Sequence, residues 1–144
     1  RDIELITNKH LSITKNSFSK LNLPVSYRNL IKLNINEDYS MGYENVIGFR
    51  ASTCTPFLFF DIDNDIQTPL LINPYNLMDY SLLKINSFLD KKEKVIDTIK
   101  KVKAVDGTFT SVFHNYSFST DVEWSRFKEI FKIIINSDKN GEKN

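Results

Sequence analysis

The second half of the chain alternates between two amphipathic helical patterns and one strand pattern, and this order constrains the fold more than any other feature. The first helical pattern begins near residue 90 and places four apolar side chains on one face: Val95, Ile96, Ile99 and Val102. Asp106-Gly107 then turns the chain, and the β-branched and aromatic residues 108–113 predict a strand. The second helical pattern carries a longer apolar stripe: Trp124, Phe127, Ile130, Phe131 and Ile134. Helix, turn, strand, loop and helix are the unit of α/β folds, so an α/β domain is predicted.

Two capping signatures predict where these helices begin. Asp90 stands three positions before Glu93, and Thr120 stands three positions before Glu123. Each pair can satisfy the free N–H groups at a helix start. We therefore expect one helix to start near residue 90 and the other near residue 120.

The first half carries shorter patterns. Pro24 suits the first position of a helix, in which Tyr27, Leu30 and Ile31 share one face. Short apolar runs predict strands at residues 46–49, 57–62 and 69–72, residues 11–14 are a further candidate, and residues 2–8 read as the end of a helix. Residues 79–88 are ambiguous between a short helix and a loop. Strands separated by helices and long loops favour part of a barrel or of an open parallel sheet.

Composition narrows the possible partners. Lys and Arg total 19 against 18 for Asp and Glu, so nothing electrostatic favours nucleic acid or an anionic membrane as a partner. The chain is 41% hydrophobic, which is enough to bury a core, yet no apolar run approaches the ~20 residues that span a bilayer. The single cysteine, Cys54, allows no internal disulfide.

Three polar side chains follow predicted strands, where the functional groups of α/β folds gather. His114 directly follows the strand at residues 108–113, and a histidine can transfer a proton near neutral pH. Arg50 follows residues 46–49, where a guanidinium could hold a carboxylate or an oxyanion. Asp79 follows residues 69–72. The structural alternatives are a hydrogen-bonded loop histidine, a surface arginine and a helix N-cap.

Two segments, DYSMGY (residues 38–43) and IGFRASTCTPF (residues 47–57), are followed in order by shorter motifs. The shorter motifs are Pro74-Tyr75, Met78-Asp79, Gly107-Thr108-Phe109, Phe113-His114-Asn115, Ser117-Phe118-Ser119 and Trp124. Together they resemble a bacterial polysaccharide deacetylase-like family of the NodB-homology, carbohydrate esterase type. The resemblance runs over nearly the whole chain and is most specific over residues 38–57.

The resemblance implies a fold and a reaction. The fold is a distorted (β/α) barrel of fewer than eight strands. This chain would be its C-terminal portion, with a partial domain over residues 1–137 and a polar tail over residues 138–144. The reaction is hydrolysis of N-acetyl groups on a sugar polymer, assisted by a divalent metal, usually zinc, and by an aspartate base. The family's base and metal ligands lie on earlier strands, so the remainder of the barrel in the parent chain is an expected partner and no metal ligand is assigned here.

The resemblance also gives roles to individual residues. Arg50 resembles the family's arginine motif, and His114 resembles the late histidine that protonates the leaving amine. Asp79 matches the acidic residue that partners one of them. Substrate-binding roles are expected for Phe57, Tyr75 and Asn115.

Two positions depart from the family pattern. Ser17 stands where relatives carry a histidine, and Ser52 stands where a glycine is usual. Ser17 favours an alternative function, a catalytically inactive relative that binds carbohydrate through aromatic side chains such as Tyr43. A structural half-domain is a third reading. The sequence leaves open the polymer, the metal and the compartment, which in a bacterium could be the cytoplasm or the cell envelope.

Overall fold

Short parallel strands organise the described part of the chain, which is residue 6 and residues 8–137 of a computed structural model. The first sheet contains β1 (Ile13–Thr14), β2 (Glu37–Asp38), β3 (Phe57–Asp61) and β4 (Ile66–Ile72), in the order β1-β2-β4-β3. Strands β1, β2 and β4 run parallel, whereas β3 pairs antiparallel with β4. A second, parallel pair joins β5 (Leu77–Met78) to β6 (Ser111–Val112). The predicted α/β class is confirmed.

Four helices with both ends inside the described residues accompany the strands. They are α1 (Val25–Lys32), α2 (Asp79–Leu83), α3 (Phe88–Ala104) and α4 (Phe127–Ser137). A 3₁₀ turn at Ser17–Ser19 precedes α1, and two more, at Asn115–Phe118 and Val122–Trp124, lie between α3 and α4. The helix expected to begin at Pro24 is confirmed as α1, and Pro24 is its cap. Within the described residues, no helix is long and apolar enough to cross a bilayer.

The helix start expected near residue 90 is confirmed within two residues, although Ser87 and not Asp90 is its cap, and the start expected near residue 120 is wrong. Helix α3 begins at Phe88, because the Ser87 hydroxyl accepts hydrogen bonds from the free N–H groups of Leu89 and Asp90. Helix α4 begins only at Phe127, because Arg126 has a φ of 65° that interrupts any helix running on from residue 120. The apolar faces of the two helices are nevertheless as predicted, except that Trp124 lies in a 3₁₀ turn before α4 and not on the helix itself.

One predicted strand is absent and another is short. Residues 46–49 form irregular backbone, in which Gly48 N–H donates to the Asn76 carbonyl and Val46 is 60% exposed. The strand expected over residues 108–113 is confirmed only at Ser111–Val112. Strands β3 and β4 match the runs at residues 57–62 and 69–72, but they form an antiparallel hairpin. Four residues separate them, which is too short for the crossover that parallel strands need.

Two apolar cores hold these elements together. The larger core packs α3 and α4 against β5, with these buried members: Leu77, Leu82, Val95, Ile99, Trp124, Phe127, Ile130 and Ile134. The smaller core packs α1 against the β3–β4 hairpin through Tyr27, Met41, Phe59, Leu70 and Ile72. The chain between β4 and β5 links the two regions, because Tyr75 N–H donates to the Met41 carbonyl and Asn76 N–H donates to the Thr110 carbonyl. A helix was expected over residues 2–8, of which only residues 6 and 8 are described. The polar tail expected over residues 138–144 lies outside the described residues.

The end of α3 requires a glycine, although not for its backbone angle. Asp106 carries the left-handed φ of 53°, and Gly107 N–H then donates to the Val102 carbonyl, which closes the helix. Gly107 lies directly against the buried Cys54 sulfur, so a β-carbon at this position would overlap that atom.

We expect Gly107→Ala to destabilise the fold by about 1–3 kcal/mol through this overlap, measured by urea unfolding. Adding Cys54→Ala should restore part of the loss, because the new methyl group would then meet the residue 54 β-carbon at an ordinary 3.5 Å. Gly48→Ala is the control, since its nearest neighbour is Tyr43 Cδ2 at 3.9 Å. Equal losses in the single and double variants would contradict the packing explanation.

An ion pair anchors α1 to the hairpin. Arg28 Nε and Nη2 each lie 2.6 Å from an oxygen of the Asp61 carboxylate, which is 2% exposed, and Nη2 also reaches Asp63 at 2.8 Å. These hydrogen bonds hold the pKa of Asp61 well below its usual range. The folded chain therefore keeps Asp61 ionised at acidic pH values where the unfolded chain binds a proton.

The Asp61 contribution to stability is complete above the unfolded aspartate pKa of about 3.9 and is lost as pH falls further. The melting temperature of the wild type should therefore drop more steeply below pH 4 than that of Asp61→Asn. At pH 7 the same variant should melt at a lower temperature than the wild type. Asp65→Asn, in the same exposed turn, is the matched control and should follow the wild-type profile. Parallel pH profiles for all three proteins would disprove the role of the ion pair.

Candidate functional site

A cavity of about 570 Å³ lies where the carboxyl ends of β1, β2, β5 and β6 meet. Its walls come from the segments that follow these strands, and the lining residues are Lys15, Ser17, Phe18, Glu44, Asn45, Met78, Tyr80, His114 and Tyr116. The volume falls in the range of small-molecule and cofactor sites. The position agrees with the rule that sites of α/β folds lie beyond the carboxyl ends of the strands.

The buried Asp79 carboxylate holds His114. Asp79 begins α2 directly after β5 and has no exposed surface. Nδ1 of His114 lies 3.0 Å from both carboxylate oxygens, and the His114 backbone N–H donates to Oδ2 at 2.7 Å. The Ser117 hydroxyl also donates to Oδ2, and Tyr80 N–H donates to Oδ1 at 2.8 Å. Because Nδ1 contacts Asp79, Nε2 is the ring nitrogen left for another partner, and His114 lines the cavity.

Aromatic rings surround the exposed side of the histidine. Tyr116 stacks on His114 with ring centroids 4.9 Å apart and planes inclined by 8°. Tyr80 meets His114 edge-on at 5.9 Å and Tyr116 at 6.0 Å. Trp124 backs both tyrosines, at 5.7 Å from Tyr80 and 5.4 Å from Tyr116. This packing fixes the plane of the imidazole.

Tyr116 is a neutral phenol over the physiological pH range. Burial raises its pKa, and the hydrogen bond to Tyr80 and the nearby Asp79 charge raise it further. Its hydroxyl therefore remains a proton-bearing hydrogen-bonding group near the cavity.

Arg50 contacts the backbone of the cavity wall. Its Nη1 donates to the Ser19 carbonyl at 2.9 Å and to the Gly42 carbonyl at 3.2 Å. No hydrogen bond joins Arg50 to Asp79 in the described part of the chain, so the acidic partner of His114 is not also the partner of the arginine. The guanidinium instead ties the Ser17–Ser19 turn to the loop after β2.

The Ser17–Ser19 turn has an unusual backbone. Phe18 has φ 60° and ψ 11°, and Ser19 has φ 45°, so two successive non-glycine residues lie in the left-handed region. Behind the turn, the Tyr75 hydroxyl lies 2.7 Å from Ser19 Oγ. The Tyr75 ring has no exposed surface and lies so close to Gly42 that a β-carbon there would overlap it. In front of the turn, the Phe18 side chain is 74% exposed on the cavity wall.

A second buried carboxyl group supports the start of this turn. Asp38 ends β2 with no exposed surface, and it accepts hydrogen bonds from Ser40 N–H at 3.0 Å and from Ser40 Oγ at 2.7 Å. Burial raises the pKa of Asp38. Ser40 Oγ in turn accepts the Asn16 backbone N–H at 2.7 Å. The ends of β1 and β2 are thereby joined next to the cavity.

The predicted site residues separate into two groups. His114 and Asp79 contact each other directly, and Asn115 is exposed between the cavity residues His114 and Tyr116. Arg50 and Tyr75 lie behind the cavity wall and hold Ser19, whereas Phe57 packs against the smaller core. The substrate-binding roles of Phe57, Tyr75 and Asn115 stay predictions.

Sequence reasoning missed the rings that line the cavity. Tyr80 directly follows Asp79, and Tyr116 follows His114 by two positions. Their closeness in sequence to these candidate residues could have indicated that both rings lie at the site. Phe18 gave no signal, because Ser17-Phe18-Ser19 contains none of the residues that favour left-handed backbone.

The described residues do not fit a metal site. No group of three or more histidine, cysteine, aspartate or glutamate side chains within them is close enough to hold an ion. The one cavity histidine already uses Nδ1 to bind Asp79.

Comparison with known proteins gives no relative for this chain. No family model matches it, and neither the curated proteins nor the solved structures contain a match.

The strained turn leads to a stability prediction. We expect Phe18→Gly to stabilise the fold by roughly 0.5–1 kcal/mol. Left-handed backbone costs an L-residue roughly 1–2 kcal/mol, whereas glycine adopts it freely. Part of this gain is offset because glycine loses more conformational entropy on folding. Little buried surface is lost, since the ring is 74% exposed. Thermal and urea unfolding measure the change. Phe60→Gly, at a 48% exposed ring within β3, is the control and should destabilise. Destabilisation of similar size in both variants would argue against strain at Phe18.

Proposed function

We propose that this chain is the C-terminal portion of a metal-dependent polysaccharide deacetylase-like hydrolase, in which His114 protonates the leaving amine. The substrate class is N-acetyl groups on a sugar polymer, and the implied fold is a distorted (β/α) barrel completed by the rest of the parent chain. One observation carries the proposal: the fully buried Asp79 carboxylate fixes His114 through Nδ1, which leaves Nε2 for another partner, and His114 lines a cavity at the strand ends. The sequence resemblance supports the same pair.

The geometry suits a histidine that acts as a general acid. When the imidazole is protonated, Asp79 accepts the Nδ1–H and compensates the positive charge. The Nε2–H can then pass to the amide nitrogen as the bond from that nitrogen to the acyl carbon breaks. The attacking water supplies the oxygen of the released acetate and gives a proton to the base in the remainder of the barrel, and the sugar keeps the free amine. Because four donor groups bind Asp79, its carboxylate is buried without being left unpaired.

The metal and the base are not assigned within this chain. The resemblance implies a divalent ion, usually zinc, which would polarise the acyl oxygen when bound. Since the described residues form no ligand group, the proposal places the ligands and the base in the remainder of the barrel and derives no step through the ion.

Carbohydrate binding without turnover is the second candidate. Ser17 lies on the cavity wall at the position where the resemblance expects a histidine. The aromatic rings of Phe18, Tyr80 and Tyr116 line the same cavity. A site that binds sugar but lacks one of the family's catalytic residues would show both the serine and the aromatic lining.

The test is acetate release from an N-acetylglucosamine oligomer with added Zn²⁺, using the longer protein that restores the remainder of the barrel. We expect His114→Ala to lower kcat by about 10²–10⁴-fold, the usual contribution of a positioned acid. Asp79→Asn should also lower kcat, because an amide cannot compensate the imidazolium charge.

The control is His10→Ala, which changes the other histidine of the chain at an exposed position before β1. Equal acetate release from the wild type and from His114→Ala would sink the proposed acid. Binding of the oligomer with no metal-dependent release from the wild type would favour the second candidate.

A further inference from the structure

A large apolar ring is held exposed at the cavity mouth by a strained backbone. Phe18 is 74% exposed, whereas most large aromatic side chains of globular domains are largely buried. Its left-handed φ of 60° is unfavourable for a bulky residue. Neither burial nor backbone preference explains this arrangement, and strained residues that the surroundings keep in place cluster at ligand-binding sites.

The surroundings hold the turn on several sides. Arg50 Nη1 binds the carbonyl of Ser19, the residue directly after Phe18. The side-chain amide of Asn16 donates to the Lys20 carbonyl at 2.7 Å and so spans the turn. Tyr75 binds Ser19 Oγ from behind. The position of the Phe18 ring is therefore set by contacts that do not involve the ring itself.

The cavity chemistry indicates what the ring would contact. Phe18 shares the cavity with the rings of Tyr80, His114 and Tyr116, and four polar side chains also line it: Lys15, Ser17, Glu44 and Asn45. A pyranose ring has C–H groups on its faces and hydroxyl and amide groups on its rim. Its faces suit the electron-rich faces of aromatic rings, and its rim suits polar side chains.

We propose that Phe18 is a stacking platform for a sugar ring of the polymer, and that Arg50 is the positioning residue that holds this platform through the Ser19 carbonyl. The inference rests on the proposed function, because it identifies how the same cavity takes its substrate. Arg50 acts on the substrate through Phe18 and does not touch the reacting acyl group. The sugar unit on Phe18 would occupy the cavity that His114 also lines.

The test measures binding of a β-1,4-linked pentamer of N-acetylglucosamine to the 144-residue chain. Calorimetry gives Kd, and the fluorescence of Trp124 reports where the sugar binds, since Trp124 is the single tryptophan and lies against the cavity tyrosines Tyr80 and Tyr116. We expect Phe18→Ala and Phe18→Gly to weaken binding about tenfold, whereas Phe18→Tyr retains it. Phe60→Ala, which removes an exposed ring outside the cavity, should leave Kd unchanged.

A double-mutant cycle tests the role of Arg50. Arg50→Ala should weaken binding in the wild-type background and have little further effect in the Phe18→Ala background. Arg50→Lys should restore part of the affinity, because an ammonium group can donate to the same carbonyl. Additive losses would overturn the positioning role. Wild-type affinity in Phe18→Ala, or absence of calorimetric binding by the wild type, would overturn the platform.

Failure of this inference is distinguishable from failure of the proposed function. Pentamer binding that depends on Phe18, together with acetate release that does not depend on His114, would remove the hydrolase and keep the platform. Acetate release that depends on His114, with an unchanged KM in Phe18→Ala, would remove the platform and keep the hydrolase.

Discussion

The buried Asp79 carboxylate is the interaction on which the rest of the site depends. It lies at the junction of β5 and α2, and three of its four donors come from the segment that follows β6. An unpaired carboxylate at this depth would cost several kcal/mol, so the two strand ends are held in one relative position as long as the ion is paired. The orientation of His114 is a consequence of the same constraint. The aromatic rings of Tyr80 and Tyr116 then have a fixed partner to pack on.

The cavity wall at the Ser17–Ser19 turn is supported in a different way. There the partners are backbone carbonyl groups, and Arg50 binds those of Ser19 and Gly42. Because these contacts involve backbone carbonyl groups, they fix the backbone path of the turn whatever side chains the turn carries. The wall can therefore carry an exposed Phe18 and a Ser17 where the resemblance expects a histidine. The contacts of Asp79 thus orient a side chain that can transfer a proton, whereas the contacts of Arg50 fix the backbone that forms the cavity wall.

The sequence predicted those features that depend on local periodicity or on strand ends. The apolar faces of α3 and α4 follow from spacing alone. The position of His114 follows from the predicted strand before it, whereas Asp79 rests on the resemblance, because β5, which it directly follows, was not predicted. Helix starts were predicted less well, because Ser87 and Asp90 are both competent caps and only the folded chain decides between them. The hydrogen-bond partners of Arg50 could not be predicted, because they are backbone carbonyl groups and every residue type carries one. The left-handed Phe18 was equally hidden, because long-range contacts impose it against local preference.

The hydrogen bonds of the site join residues far apart in the chain. Asp79 and His114 are 35 positions apart, Arg50 and Ser19 are 31 apart, and Ser19 and Tyr75 are 56 apart. Each bond therefore requires closure of a long loop, whose entropy cost must be met by earlier packing of the helices and the β3–β4 hairpin. During folding, the helices and the hairpin can form from local contacts while the cavity does not yet exist. The cavity therefore forms late in folding. The packing of its aromatic rings is accordingly a better measure of how much native state has formed than the helix content is.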